Sequence, residues 1–216
     1  MSALRLRYQT LEIGHLDLHL RTLRDNQQFS DRDGVAAGLG ISSATWPLFG
    51  ILWPAGRVLA EHMLDYDIAG KRILEVGCGV ALSSLLLNQR QADITATDYH
   101  PDAERFLREN VRINRAPAIP FVRTGWADDD SSLGSFDLII GSDLLYEQDH
   151  AALLSGFIDQ HAKPHCQVIL VDPGRGNHAR FSKLMVTRGY QHSQRPPAHT
   201  DYLDQPFKGQ LLSYQR

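Results

Sequence analysis

Apolar and polar positions follow two different periodic patterns along the chain. Residues 4–13 and 16–23 alternate apolar with polar on either side of Gly14, and this period of two predicts a half-exposed β-hairpin. From residue 72 onward, short continuous apolar runs alternate with segments whose apolar residues recur at helical spacing. Such alternation indicates parallel strands joined by helices, with both faces of the sheet covered. The chain is therefore predicted to have an α/β fold.

The same patterns place the individual elements. A helix predicted over 54–66, with Pro54 in its first turn, leads into the first core strand. Two segments near the end of the chain, 189–195 and 210–216, alternate in polarity and are predicted to pair antiparallel at the sheet edge. The predicted core strands are 72–77, 93–98, 120–126, 136–143 and 167–172, and the predicted core helices are 81–90, 102–114 and 150–162.

Length and charge narrow the class of protein. The 216 residues suit one ordinary domain, which we expect to consist of a hairpin and loop appendage at 1–40 and a core at 41–216. The formal net charge of -3 lacks the basic excess that binding to nucleic-acid phosphates usually demands. We therefore expect a protein or small-molecule partner and no nucleic acid.

Cysteine usage and the first residues predict where the protein works. Cys78 and Cys166 are too few and too far apart for a disulfide framework, which indicates a reducing compartment. Residues 1–10 lack the uninterrupted apolar core of a signal peptide. The uncharged stretch 44–56 is interrupted by proline and glycine and is too short to cross a bilayer, which needs ~20 apolar residues. We expect a cytoplasmic protein with no membrane partner.

The first core strand ends in a glycine turn that suggests a ligand site. In open α/β sheets, ligands bind outside the carboxyl ends of the strands. Gly77 and Gly79 let the backbone approach a ligand closely just before a helix. Asp98 closes the next strand 21 positions after Gly77, the spacing at which a carboxylate reaches the hydroxyls of a ribose. These features predict a nucleoside-containing cofactor, and the alternative is an ordinary tight turn with a solvated Asp98.

Two departures from the dinucleotide pattern change the expected cofactor. Leu82 stands where the dinucleotide fingerprint has its third glycine. Glu75 places a negative charge close to where a pyrophosphate would sit, and the two anions would repel each other. A zwitterionic or cationic ligand fits better, and S-adenosylmethionine is such a ligand.

Residues 53–190 resemble the class I S-adenosylmethionine-dependent methyltransferases. The resemblance rests on "ILEVGCGVALSSLLL" and "ITATDYHPDAERFLRENVRIN", and it implies a Rossmann-like, seven-stranded, mostly parallel sheet with helices on both faces. Within that superfamily, Asp143 and Tyr146 of "SDLLYE" are similar to the Asp-x-x-Tyr signature of the methyltransferase-like protein-lysine methyltransferases. The stretch "DPGR" at 172–175 resembles the branch that methylates the β subunit of electron-transfer flavoprotein. Ala81 replaces the third loop glycine of the family.

The resemblance implies a set of cofactor contacts. Gly77 and Gly79 would pass beneath S-adenosylmethionine, while Glu75 would support the loop or reach the amino group through water. Asp98 would accept hydrogen bonds from the ribose hydroxyls. The resemblance also assigns cofactor contacts to the aromatic rings of Trp53 and Trp126 and to Ser142 at the end of the fourth strand. Trp126 offers a flat face to adenine, although it could instead be an ordinary core residue.

Asp143 and Tyr146 are the predicted catalytic pair. If the acceptor is a lysine amine, Asp143 can orient its lone pair through a hydrogen bond, and Tyr146 can line a narrow channel. A nearby carboxylate favours the unreactive ammonium, whereas exclusion of water favours the neutral amine, and the sequence leaves the balance open. Alternatively, Asp143 caps the following segment and Tyr146 packs structurally.

Several residues disfavour other kinds of site and substrate. Leu144 and Leu145 occupy the place where amide and adenine amino-methyltransferases carry Pro-Pro, which disfavours a nucleic-acid substrate. No metal is expected, because the histidines lack metal-binding spacing and a surface loop is predicted around Pro164. Arg175 either lines the substrate mouth and pairs with an acidic group or belongs to a local turn. A nicotinamide-type small-molecule N-methyltransferase and a cofactor-binding protein without turnover remain as alternatives.

Overall fold

The computed structural model describes residues 4–25, 31, 33–128 and 131–216. The chain forms a seven-stranded sheet flanked by helices and a separate two-stranded hairpin. The strands are β1 (Leu6–Ile13), β2 (Leu16–Leu23), β3 (Arg72–Val76), β4 (Asp93–Asp98), β5 (Phe121–Arg123), β6 (Phe136–Ser142), β7 (Ala162–Asp172), β8 (Gln191–Arg195) and β9 (Gln210–Gln215). The helices are α1 (Val35–Gly38), α2 (Pro54–Leu64), α3 (Leu82–Gln89), α4 (Ala103–Ile113), α5 (His150–His161) and α6 (His178–Thr187).

The main sheet has the order β5-β4-β3-β6-β7-β9-β8. The five strands from β5 to β7 in that order are parallel, and β9 pairs antiparallel with both β7 and β8. The chain runs outward from β3 through β4 to β5 and then returns to the other side of β3 to form β6. The strand order therefore reverses between β3 and β6, which is where α/β sheets bind ligands. The predicted fold class and the antiparallel edge pair are confirmed.

Two hydrophobic layers explain why the core strands read as continuous apolar runs. Successive side chains of a strand point to opposite faces. Ile73 joins the layer formed with α2, α3 and α4, whereas its neighbour Leu74 joins the layer formed with α5 and α6. Ile140 and Ile139 of β6 divide between the two layers in the same way. Both faces of the sheet are therefore buried under helices, as the continuous apolar runs of its strands predicted.

The N-terminal hairpin packs against the helices beside the sheet. Leu18 and Leu20 of β2 have no exposed surface and belong to the same core as α2 and α3. The backbone of β2 is also tied to α4, since Asn110 accepts a hydrogen bond from the Arg21 amide at 2.7 Å. Asn114 accepts one from the His19 amide at 2.9 Å and donates to the His19 carbonyl at 2.6 Å. These amide side chains satisfy backbone groups of an edge strand.

Two local predictions differ from the structure, and one helix was not predicted. β5 ends at Arg123, so Trp126 lies in the turn beyond the strand and does not end it. The loop predicted around Pro164 is part of β7, which begins at Ala162 and passes an irregularity in its pairing with β6. A proline is tolerated at such an irregularity because the ladder is already interrupted there. Helix α6 follows β7 and was not singled out by its sequence pattern.

The uncharged stretch 44–56 contains a short 3-10 helix, Leu48–Gly50, followed by the start of α2. Within the described ranges, no helix has the length and apolar character needed to cross a membrane. Phe49 is 5% exposed and packs on Phe106 of α4 with ring centroids 5.1 Å apart. This stretch forms one wall of the cavity described next.

Candidate active site

A cavity of about 430 Å³ opens at the carboxyl ends of β3, β4 and β6. Its volume is in the range of small-molecule and cofactor sites. The sequence predicted nine site residues from five separate stretches of chain, and all of them line this one cavity. They are Trp53, Glu75, Gly77, Gly79, Asp98, Trp126, Ser142, Asp143 and Tyr146.

The turn after β3 repeats a left-handed backbone at every second residue. Gly77, Gly79 and Ala81 have φ angles of 60°, 54° and 60°. A Cβ on Gly79 would lie 3.0 Å from the Phe49 carbonyl oxygen, and one on Gly77 would lie 2.6 Å from Leu144. Backbone conformation favours glycine at both positions, and at Gly79 the close approach of a backbone oxygen adds to it, whereas the atom near Gly77 is the movable end of the Leu144 side chain. Ala81 adopts the same conformation with a methyl group, which costs ~1–2 kcal/mol.

Glu75 holds the start of α3 from below the turn. Its carboxyl group accepts hydrogen bonds from the Ser84 amide at 2.9 Å and from the Ser84 hydroxyl. Burial raises the pKa of Glu75 to about 7, and the hydrogen bonds from Ser84 lower the pKa only in part. The supporting role predicted for Glu75 agrees with these contacts, and the group changes charge near neutral pH.

Asp98 braces the glycine turn from the neighbouring strand. One oxygen of Asp98 accepts from the Gly79 amide at 2.8 Å, and the other accepts from the His100 amide at 2.8 Å. Burial raises the pKa of Asp98, while these two amide hydrogen bonds lower it in part. Each carboxylate oxygen keeps a further lone pair, so Asp98 can still accept two hydrogen bonds from a ligand.

Aromatic side chains line two sides of the cavity. The Trp53 indole donates to the Leu48 carbonyl at 3.0 Å, which fixes the ring at the start of α2. Trp126 and Tyr146 both contact His150 edge-on, with ring centroids 5.0 Å and 4.5 Å away. His150 in turn hydrogen-bonds the Leu144 carbonyl through Nδ1 at 2.8 Å. The three rings therefore form one connected wall.

Asp143 is held in an unusual backbone conformation at the end of β6. Its φ of 54° is left-handed, and its amide donates to the Val171 carbonyl at 2.9 Å. Asp is among the residues that tolerate this region best. Both carboxylate oxygens are bound by Arg175, with Nε at 2.5 Å and Nη2 at 2.8 Å. The structure contains both features considered for Arg175. Arg175 pairs with an acidic group at the cavity, and the residues before it form a local turn in which the Gly174 amide donates to the Asp172 carboxylate.

Tyr146 stands at the mouth of the cavity with 42% of its surface exposed. Partial burial and the carboxylates of Asp98 and Glu147 raise the pKa of Tyr146 to about 12. The phenol is therefore protonated at neutral pH and can donate a hydrogen bond, but it is a poor general base.

Several lining residues were missed by sequence reasoning. His100 stacks on Phe49 with ring centroids 3.9 Å apart, and burial lowers the pKa of His100 to about 4. Asp128, in the acidic loop sequence 127–132, accepts from the Gly125 amide at 2.6 Å and lines the cavity. The Gly-x-x-Asp spacing just after a strand was the available signal. Asp129 and Asp130 of that loop lie outside the described residues.

Neither cysteine behaves as a reactive thiol. Cys78 lies in the glycine turn and is 8% exposed, and Cys166 is buried in β7. Burial raises the pKa of both thiols, that of Cys166 to about 12. Both groups are protonated at neutral pH, which makes them poor nucleophiles.

One group of side chains could approach a metal ion. In the described part of the chain, ligand atoms of Glu147, Asp149 and His150 lie within 4.8 Å of one another. Both acidic residues are exposed, and His150 Nδ1 is already bound to the Leu144 carbonyl. Exposed acidic groups of this kind are common without a metal. The expectation of no metal stays a prediction.

Comparison with curated proteins finds relatives that act on protein lysines. The electron transfer flavoprotein beta subunit lysine methyltransferase of Xenopus laevis is 29% identical over 149 residues, which cover 67% of this chain and 58% of that protein. EEF1A lysine methyltransferase 3 of Mus musculus is 27% identical over 157 residues, which cover 70% of this chain and 62% of that protein. The chain thus spans less than two thirds of the length of these relatives.

Comparison with solved structures and with protein families completes the assignment. Magnesium protoporphyrin IX methyltransferase from Synechocystis PCC 6803, solved with bound S-adenosylmethionine, has a TM-score of 0.59 and 18% identity over 74% of this chain and 77% of its own. That likeness shows a shared fold. Residues 45–185, well over half of the chain, match the family described as lysine methyltransferase. The resemblance noted in the sequence is therefore confirmed, and this chain belongs to the lysine methyltransferase family.

Proposed function

We propose that this protein transfers a methyl group from S-adenosylmethionine to the side-chain nitrogen of a lysine in another protein. The observation that carries the proposal is the single cavity that joins the glycine turn, Asp98 and the Asp143–Tyr146 pair. The names of the relatives support a protein acceptor, because they specify lysines of an electron transfer flavoprotein subunit and of EEF1A.

The residues present fit S-adenosylmethionine. Gly77 and Gly79 leave the floor of the cavity free of side chains, and Asp98 has unused lone pairs for two ribose hydroxyls. Trp126 provides an aromatic face for adenine, and Trp53 and Ser142 border the same space. Carboxylates outnumber cations on the walls, which suits a ligand with a positively charged sulfur. When bound, the cofactor supplies an electrophilic methyl group.

The acceptor end needs mainly to position a nucleophile. A displacement in line gains roughly 7–11 kcal/mol at best from holding the reacting atoms at attack distance. Asp143 is held by the backbone bond to Val171, so it can accept a hydrogen bond from the amine in one fixed orientation. Tyr146 presents an exposed ring beside it, against which the lysine stem can pack.

A labelling experiment tests this proposal. Enzyme and cofactor with a radioactive methyl group are incubated with extract from cells that lack the gene, and in parallel with purified electron transfer flavoprotein β subunit and EEF1A. The proposal predicts label in protein, recovered as methylated lysine after acid hydrolysis. A matched reaction with Asp143→Asn should leave the same proteins unlabelled.

Two other outcomes would replace the proposal. Label in a soluble product, with nicotinamide as the first compound to test, would favour the small-molecule N-methyltransferase. Cofactor binding by calorimetry without transfer to any acceptor would favour a binding protein without turnover.

A further inference from the structure

The predicted catalytic carboxylate is already paired with a cation. Arg175 binds both oxygens of Asp143 in a bidentate fork, the geometry that gives the strongest ion pairs between these two groups. Of the two side chains, Asp143 is 9% exposed and Arg175 is 43% exposed. The hydrogen bonds to Asp143 raise the pKa of Arg175 above its already high ordinary value.

The loop that carries Arg175 is fastened at both ends. It connects β7 to α6, and it begins with the Gly174 amide donating to the Asp172 carboxylate at 2.8 Å. At its other end, the Asn177 side chain donates to the Leu145 carbonyl at 2.9 Å. Gly174 and Gly176 take left-handed φ angles of 97° and 91° on either side of Arg175. The backbone therefore directs Arg175 toward the segment that contains Asp143.

Arg175 supplies the positive side-chain charge of the described cavity wall. Among the described lining residues it is the sole lysine or arginine, whereas four carboxyl groups line the same walls. The carboxyl groups belong to Glu75, Asp98, Asp128 and Asp143. The other titratable residues of the described wall are Cys78, Tyr99, His100, Tyr146 and His150. Beside the Arg175 end, Glu147 interacts with Tyr146, and Asp172 interacts with Arg175. Without Arg175, this end of the cavity would hold only negative fixed charge.

The ion pair lies beside the glycine turn. Val76 of β3 is paired in register with Gly141 of β6, so the residues that follow these two positions leave adjacent strands together. A Cβ on Gly77 would touch Leu144, the residue after Asp143. The charge on Asp143 therefore lies next to the glycine turn, which the proposed function places under the cofactor, so it can interact electrostatically with the bound cofactor.

We propose that Arg175 is a positioning residue that neutralises Asp143, so that the acceptor lysine enters the site as an uncharged amine. The inference rests on the proposed function and adds to it. An unpaired carboxylate would stabilise the ammonium form, which has no lone pair to donate. A carboxylate paired with a guanidinium has little net charge, yet each oxygen keeps a lone pair for the amine N–H. Arg175 thus separates the orienting role of Asp143 from its charge.

The two forms of the cofactor provide a test that needs no acceptor. S-adenosylmethionine carries a positive sulfur and S-adenosylhomocysteine does not, so the ratio of their affinities reports the local charge. Calorimetry on the full chain would measure this ratio for the wild type, Arg175→Gln, Arg175→Lys, Asp143→Asn and the double variant Arg175→Gln with Asp143→Asn. Arg180→Gln removes the same charge from α6, where Arg180 contacts the Gln148 carbonyl, and serves as the matched control.

The inference predicts shifts of opposite sign. Arg175→Gln should raise the preference for S-adenosylmethionine roughly fivefold or more, and Asp143→Asn should lower it by a similar factor. The double variant, Arg175→Lys and Arg180→Gln should stay near the wild-type ratio. A loss of structure alone would weaken both ligands together and leave the ratio unchanged.

The results separate this inference from the proposed function. Wild-type protein that binds neither ligand would overturn the proposed function and this inference with it. Wild-type protein that binds both, with an unchanged ratio or shifts of the same sign in the two single variants, would overturn the role of Arg175 alone. If Arg175→Gln fails to unfold cooperatively on heating, Arg175→Met removes the same charge and gives the same comparison.

Discussion

The two ends of the cavity differ in the groups that form them. The end beneath β3 and β4 consists of backbone turns and of two carboxyl groups, Glu75 and Asp98, that are hydrogen-bonded to backbone amides. The end beyond β6 consists of the side chains of Asp143, Tyr146 and Arg175, which project from loops and are partly exposed. Changes at the first end should alter folding and cofactor affinity together. Changes at the second should alter transfer and leave the fold intact.

The largest expected effect falls on the second end. Asp143→Asn keeps a residue that tolerates the left-handed backbone but replaces one of the two carboxylate oxygens that can accept the amine N–H with an NH2 group that donates. We expect transfer to fall ~100-fold to 10,000-fold, the usual contribution of a positioned acid or base. Affinity for S-adenosylhomocysteine and the thermal midpoint should change little. Full turnover by this variant would remove Asp143 from the mechanism.

The second prediction concerns Glu75, at the first end of the cavity, and the pH dependence of the unfolding free energy. The pKa of Glu75 is about 7 in the folded protein, above the ordinary 4.5, so the folded state binds this proton more tightly than the unfolded state. The stabilisation of the folded state by this protonation is fully present below about pH 4.5 and is lost as the pH rises through about 7. Relative to Glu75→Gln, wild-type protein free of cofactor should lose roughly 2–3 kcal/mol of unfolding free energy between pH 5 and pH 8.

Urea unfolding of the two proteins at these pH values measures the difference directly. The Gln side chain can still accept the hydrogen bonds from Ser84, which makes it a close match in shape. A difference between the two proteins that does not vary with pH would contradict the raised pKa of Glu75.

A smaller effect is expected at the ribose carboxylate. Asp98→Asn replaces one acceptor oxygen with a donor that faces either the Gly79 or the His100 amide. The loss of one charge-assisted hydrogen bond is worth ~1.5–3 kcal/mol, or ~10-fold to 100-fold in cofactor affinity. Asp102→Asn follows the same strand but pairs with Arg105 outside the cavity, so it is the matched control. Equal affinities for the two variants would remove the assigned role of Asp98.

The smallest expected effect separates backbone strain from close approach. Gly70 and Gly79 both have left-handed φ angles, 67° and 54°, but only Gly79 has an atom in the way of a Cβ, the Phe49 carbonyl oxygen. Each alanine variant should lose ~1–2 kcal/mol through its backbone. Gly79→Ala should lose ~1 kcal/mol more because the site is already packed. Chemical unfolding of both variants gives the comparison, and equal losses would argue against the tight contact.

The sequence predicted best what depends on neighbours along the chain. Gly77, Gly79 and Asp98 could be found because strand ends and turn residues are local signals, and parallel strands bring them to one edge. Trp126 lines the cavity, although β5 ends earlier than its apolar pattern indicated.

What the sequence missed depends on contacts between distant segments. The sequence suggested an acidic partner for Arg175 but not which one. That the partner is Asp143 follows from the register of Ser142 against Val171, which brings the ends of β6 and β7 together. No local pattern specifies a register between strands that a helix separates. Apart from Trp53, the uncharged stretch before α2 gave no sign of lining a cavity, because its apolar side chains are equally suited to a core.

The alkylation rates of Cys78 and Cys166 can report local opening of the glycine turn and of β7. A thiol alkylating reagent attacks the thiolate, and both Cys78 and Cys166 are protonated and shielded in the folded chain. Alkylation must therefore wait for an opening event, local at the glycine turn for Cys78 and deeper in the sheet for Cys166. Cys78 lines the cavity and Cys166 lies in β7, so the alkylation rates of the two thiols report opening in two different parts of the fold.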